Sequence, residues 1–191
     1  MRARVESGSV GSDAVAAHIR LRGDGDLDEC VLLLEAVHRV DSYPTYWPED
    51  PGRWLSPKAM LSAWVAERRG RIVGHIALDA GKTDGSAAVW SDATGLPPER
   101  LAAITRLFVS LEGRGTGVGR ALLDAACAEA AVRGLHPALD VVETNLDAIR
   151  LYERCGWRRV FTEPWRSAQD GKTLLHYYVA PPGETGRPSE R

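Results

Sequence analysis

The chain has 191 residues, 24 basic against 26 acidic side chains, and a formal charge of −2. That length suits one domain, and the near-neutral balance argues against electrostatic capture by nucleic acid or an anionic membrane. No apolar run approaches the roughly 18 residues needed to span a bilayer, and Arg2 and Arg4 are not followed by the apolar stretch of a signal peptide.

Residues 1–13 and the end PPGETGRPSER read as tails with nothing to bury, leaving a domain over 14–180. A strand near 16–21 leads into GDGD, where Asp24 or Asp26 is placed to cap a helix over about 27–40 with Leu27, Val31, Leu34 and Val37 on one stripe. DSYPTYWPEDPGRWLSP is too rich in Pro and aromatics for a helix interior. Residues 62–67 and 71–80 form a hairpin through the RRGR turn. Residues 81–95 read as a Gly/Ser/Asp-rich loop around a short apolar piece, 87–90, before the central strand LAAITRLFVS.

A helix over 118–133 follows, with Leu122, Leu123, Ala126 and Ala130 on one face and Gly134 at its end. Then come a strand over 137–142, a helix from Asn145 to Gly156, and strands over 157–162 and 173–179. Helices fall between strands throughout, which gives a mixed α/β sheet.

Between the central strand and the helix at 118 stands EGRGTGVG, with four glycines in seven residues. The first four N–H groups of a helix lack an internal partner, the macrodipole adds partial positive charge there, and glycine lets a bulky anion approach the main chain. A phosphate cradle is the sharp reading, with Arg114 adding charge-assisted bonds; a packed strand-to-helix connection is the plain one. No Lys follows as the triphosphate-binding loop requires, and the dinucleotide pattern GxGxxG ends instead on Val118 or Arg120.

What stands there, Arg114-x-x-Gly117-x-Gly119 after a strand, resembles the acyl-CoA pyrophosphate loop of the GNAT superfamily of N-acetyltransferases. A second stretch, Asn145-x-x-Ala148-x-x-Leu151-Tyr152-x-x-x-Gly156-Trp157, is similar to that family's next motif, correctly ordered. The resemblance runs over about 14–180, of an actinobacterial type with its acceptor unassigned. One departure is Leu111, where many members have Pro.

The resemblance implies a mostly antiparallel twisted sheet of six to seven strands flanked by about four helices. It implies acetyl-CoA as co-substrate, no metal, and direct transfer of acetyl to a primary amine of a small molecule. A protein N-terminal amine and a silent acyl-CoA-binding module are the alternatives. Leu107 and Val109 would offer main-chain groups to the pantetheine arm. The N–H groups from Arg114, Gly115, Thr116, Gly117, Val118, Gly119 and Arg120 would hold the pyrophosphate, with Val118 equally suited to the core. Asn145 would bond the pantetheine amide, cap the helix, or both.

Tyr152 lies seven residues after Asn145, on the same helical face. A tyrosine stays protonated at neutral pH and can protonate the leaving thiolate; alone, it would read as a packed aromatic. Asp140, five residues before Asn145, matches the position of a Glu base in the ribosomal-protein N-terminal acetyltransferase branch. Glu67, His75 and His176 are further candidates for the base, Glu143 points to the other face of its strand, and Cys155 reads as core. The Val109 N–H would meet the oxyanion.

Tyr43, Tyr46 and Trp47, with Trp54 and the acids Asp41, Glu49 and Asp50, form a wall suited to an aromatic or cationic amine. The same aromatics suit closing the core or packing on a second copy of the chain as a homodimer. Trp165 and the QDGK turn offer an opposite wall. Three scattered cysteines and five scattered histidines fit a reduced cytoplasm and no metal site.

Overall fold

The computed structural model describes residues 16–81, 85–168 and 171–181. The expected tail at 1–13, the expected tail at 181–191 except for Pro181, and Gln169 and Asp170 of the QDGK turn lie outside them. A seven-stranded sheet has the order β1-β2-β3-β4-β5-β7-β6. Its strands are β1 (His18–Leu21), β2 (Met60–Arg68), β3 (Arg71–Ala80), β4 (Leu101–Val109), β5 (His136–Val142), β6 (Arg158–Pro164) and β7 (Leu174–Val179). Every neighbouring pair is antiparallel except β4 and β5.

The β2–β3 hairpin closes through Arg69 and Gly70, both at positive φ (52° and 71°), the twist-matched two-residue turn that favours glycine. On one sheet face, α4 (Val118–Val132) and α5 (Leu146–Arg154) cover the largest core cluster, around Ile76, Leu78, Leu122, Leu123 and Tyr178. On the other face lie α1 (Leu27–Asp41), the one-turn α2 (Pro51–Leu55) and α3 (Ser86–Thr94). The face expected of α4 is the buried one, with Val118 added. On α1 the inward positions are Cys30, Leu34 and Val37, and Leu27 and Val31 pack at the edge.

Three local expectations are corrected. Residues 86–94 are helical rather than a loop: Ala87 and Trp90 are buried one turn apart, and Gly95 ends the helix at φ 71°. Residues 41–55 contain α2, started by Pro51 behind Asp50, whose carboxylate accepts from the Arg53 N–H at 2.8 Å. Neither GDGD carboxylate caps α1. Asp26 stands at the N-cap but turns back to the Gly23 N–H (2.7 Å) and the Arg20 guanidinium (2.7 and 2.8 Å).

The parallel pair creates the functional space. β4 and β5 are bonded only from Leu101–His136 to Ala103–Ala138; beyond that point they separate. A register shift in β4 between the partners of His75 and Ala77 fits Arg106, at φ 53°, into the strand.

Candidate active site

A cleft of about 1800 Å³ runs through the gap between β4 and β5, from the α4 N-terminus to the loops after α1 and β6. Its two ends are built differently.

At the α4 end the main chain does the work. The first α4 hydrogen bond joins the Ala121 N–H to the Gly117 carbonyl at 3.0 Å, so the N–H groups of Val118, Gly119 and Arg120 project from the helix mouth. Gly117 is the N-cap at φ 87°, and Gly115 sits at φ 70°. A Cβ at either would meet nothing within 4 Å, so these two glycines set backbone direction at an open surface. The other two serve packing. A Cβ on Gly113 would stand 2.8 Å from Val109 Cγ1, and one on Gly119 would stand 3.3 Å from Leu151 Cδ2, where α4 meets α5.

Arg114, Gly115, Gly117, Val118, Gly119, Arg120 and Asn145 all line the cleft, as do Leu107 and Val109. Thr116 does not; its hydroxyl donates to the Gly113 carbonyl at 2.7 Å. Val118 is also core, 3 % exposed. The Arg114 guanidinium forms an ion pair with Asp41 at the C-terminal end of α1 (Nη1–Oδ1 3.1 Å), which raises its pKa and ties the loop to that helix. Arg150 and Arg154, one turn apart on α5, also face the cleft; sequence reasoning did not single them out. Asn145 occupies the α5 N-cap without a side-chain cap bond, so the capping half of its expected role is absent.

Tyr152 and Asp140 both line the cleft. The Tyr152 ring is buried against Trp157 and Tyr178, at centroid distances of 5.8 and 6.2 Å, and the residue lines the cleft. Burial, then Tyr43 and the Asp140 charge, push its pKa up, so it holds its proton across the neutral range. Asp140 Oδ2 accepts from the Ser86 hydroxyl at 3.2 Å.

The other candidate bases are engaged away from the cleft. His75 is fully buried and stacked on Phe108 at 5.1 Å. Its Nδ1–H donates to the Arg106 carbonyl (2.9 Å), its Nε2 accepts from Arg22 (3.1 Å), and burial lowers its pKa to about 3. His176 is buried beside Thr162 (2.9 Å) with its pKa lowered by burial. Glu67 binds Arg20 at 2.9 Å. Cys155 packs at the core edge and touches the cleft.

At the far end, side chains make the walls. Arg106 donates through Nη1 to Asp79 (2.6 Å) and Thr105 (2.6 Å), and through Nε to the Trp54 carbonyl (2.5 Å). It also lies over the Trp54 ring at 5.1 Å, so the cation–π place expected for an acceptor at Trp54 is filled from within. Tyr43 lines the cleft against Phe108 and Trp54. Tyr46 reaches across to the β6–β7 loop, stacking on Trp165 (5.7 Å, 27°) and donating to the Ser167 carbonyl at 2.5 Å. Trp47 turns away onto His38 (5.1 Å) and is not in the cleft wall. Sequence reasoning did not find Asp79, Ser86, Thr105, Arg106, Glu163 or Tyr177, all of which line this end.

No group of three or more potential metal ligands occurs among the described residues, and none of the described helices is long and apolar enough to cross a membrane. A sheet splayed beside a helix mouth with free main-chain donors forms a cleft suited to a long ligand that ends in a phosphate ester.

The family model described as the acetyltransferase (GNAT) family matches residues 29–157. The chain belongs to that family. Mycothiol acetyltransferase of Acidothermus cellulolyticus is 36% identical over 112 residues, which cover 58% of this chain and 33% of that protein. The chain therefore matches about a third of that relative's length. Ribosomal-protein-alanine N-acetyltransferase of Brucella melitensis shares the fold (TM-score 0.64, 22% identity, 85% of this chain and 98% of that one). So does yncA of Salmonella typhimurium, solved with its cofactor acetyl-CoA (TM-score 0.65, 19% identity, 92% and 99%).

Proposed function

We propose that the protein transfers acetyl from acetyl-CoA to a primary amine of a small molecule by direct attack, both substrates being held in the one cleft. The observation that carries this reading is continuity: a single space connects the α4 N-terminus, Tyr152, Asp140 and the walled far end. Main-chain N–H groups from Gly115 to Arg120 and the α4 dipole hold the diphosphate. Leu107 and Val109 of β4 hold the pantetheine arm as a strand neighbour would, with Asn145, free of a capping bond, at its amide. The Val109 N–H faces the oxygen that gains charge.

Tyr152 donates toward the departing sulfur. A phenol kept neutral by burial can stabilise charge building there through its O–H, whatever the extent of proton transfer. Asp140, oriented by Ser86, takes the proton of the attacking amine, directly or through water. The bridge from Tyr46 to Trp165 and Ser167 supports a small acceptor, because a polypeptide would need that crossing open.

The test is thiol release from acetyl-CoA with a panel of small amines and of peptides. Release with small amines is the expected result. Turnover with peptides alone contradicts the acceptor class, and acetyl-CoA binding without turnover across the panel indicates a silent module instead.

A further inference from the structure

Four side chains form a row along the far part of the cleft: Asp140 of β5, Ser86 of α3, Tyr177 of β7 and Glu163 of β6. Strand register sets three of them on one sheet face. Asp140 pairs directly with Tyr177, and Glu163 pairs with Leu175, two residues from Tyr177 on the same side. Ser86 opens α3, which packs on that face against Ala138, Tyr177 and Val179.

The hydroxyls link the row. Ser86 donates to Asp140 Oδ2 at 3.2 Å and also acts as a donor on the Tyr177 phenol, so its one hydrogen has two acceptors beside it. The Tyr177 hydroxyl donates to Glu163 Oε1 at 2.6 Å. Both hydroxyl residues are buried, and the Tyr177 ring is held between Trp90 (6.4 Å) and Phe161 (6.0 Å). Burial, then the Glu163 bond, raise the Tyr177 pKa, so the phenol keeps its proton at neutral pH. Glu163 is half-buried on β6, the outermost strand, between exposed Thr162 and Pro164. The row thus begins in the cleft and ends at the sheet edge.

Acyl transfer to an amine needs such an exit. An alkylamine is an ammonium at neutral pH, and it loses two protons in becoming an amide. One ends on the thiol of the departing CoA. The other has to reach solvent while both substrates fill the cleft and the Tyr46 bridge crosses its far end.

We infer that Ser86, Tyr177 and Glu163 form a relay that carries the first of these protons from Asp140 to the edge of the sheet. This rests on the acetyltransferase reading of the cleft, in which Asp140 meets the amine. Asp140 takes a proton from the ammonium and passes it to the Ser86 oxygen, while Ser86 gives its own hydrogen to the Tyr177 oxygen. Tyr177 gives its own to Glu163, which releases it to water. Each hydroxyl ends with one hydrogen, Asp140 is again a carboxylate, and the nitrogen has its lone pair free to attack. The three relay residues act through Asp140 and do not touch the reacting atoms.

The experiment is thiol release at saturating acetyl-CoA and neutral pH, with ethylamine and with trifluoroethylamine as acceptors. The two are similar in size, but only ethylamine enters as a cation. Tyr177→Phe and Glu163→Gln should each lower kcat about tenfold with ethylamine and less than about twofold with trifluoroethylamine, both KM values holding steady. Where one variant does not fold, the other decides. An equal loss with both amines, which is what a purely structural role produces, would overturn the inference, as would an unchanged kcat with ethylamine. Absence of thiol release by the unaltered protein with either amine would instead overturn the small-amine reading beneath it.

Discussion

The two ends of the cleft are built differently, and the proposed function gives each its own means of recognition. At the α4 end, recognition is main-chain: a helix mouth with unspent N–H groups, two glycines at positive φ, and arginines around the opening. At the far end it is side-chain: carboxylates, hydroxyls, an arginine and aromatics drawn from several elements and bonded to one another. A helix terminus reads any phosphate ester in much the same way, which suits a substrate common to a family. A wall of side chains changes with single substitutions, which suits an acceptor particular to one member. In the proposed mechanism the chemistry falls between these two ends, at Tyr152 and Asp140.

Tyr152→Phe tests that junction and should have the largest effect. Loss of a proton donor lowers kcat about a hundredfold, with CoA affinity unchanged in calorimetry; an unaltered kcat under conditions where chemistry limits the rate would reject the donor role. Gly117→Val strikes the main-chain end. A β-branched residue at φ 87° carries about 1–3 kcal/mol of strain, so acetyl-CoA affinity should fall roughly ten- to hundredfold. The acceptor end should feel this only through the lost co-substrate.

Tyr46→Phe touches the other end alone. Removing the bond to the Ser167 carbonyl costs about 0.5–1.5 kcal/mol. The acceptor KM should therefore rise a fewfold with kcat and CoA affinity steady.

The smallest effect on catalysis is expected at His75, which belongs to neither end. Its folded pKa of about 3 lies below the ordinary 6.5. The unfolded chain therefore takes up a proton below pH 6.5 that the folded chain refuses. The stability this residue contributes is complete above pH 6.5 and is lost as pH falls toward 3. His75→Gln should flatten the fall of Tm across that window and leave the pH profile of turnover where it was.

The same division explains what could be read from the sequence. The α4 end was legible because its parts are consecutive: Arg114, Gly117 and Gly119 sit at fixed offsets, as do Asn145 and Tyr152 along one helix. Strand and helix order followed from apolar periodicity almost throughout. The exceptions were the one-turn α2, hidden in a Pro-rich stretch, and residues 86–94, where Gly85, Ser86, Ser91, Asp92 and Gly95 look like a loop until Trp90 finds its place against β7. The far wall was not legible. Asp79, Thr105, Ser86, Glu163 and Tyr177 have no shared spacing; they are neighbours only because β3, β4, β5, β7 and β6 lie in that order and α3 crosses them. The aromatic loop was seen, but not its partners: Trp54 pairs with Arg106, Tyr46 with Trp165, and Trp47 with His38.

The central claim is that amide hydrogens at the mouth of α4 hold the diphosphate of the co-substrate. Backbone amide NMR during titration with acetyl-CoA, and separately with S-acetylpantetheine, which lacks the diphosphate, tests it most directly. The amide protons of Gly115, Gly117, Val118, Gly119 and Arg120 are expected to move downfield with acetyl-CoA and to stay in place with S-acetylpantetheine. Unmoved resonances at these residues, with acetyl-CoA bound and shifts clustered elsewhere, would contradict it.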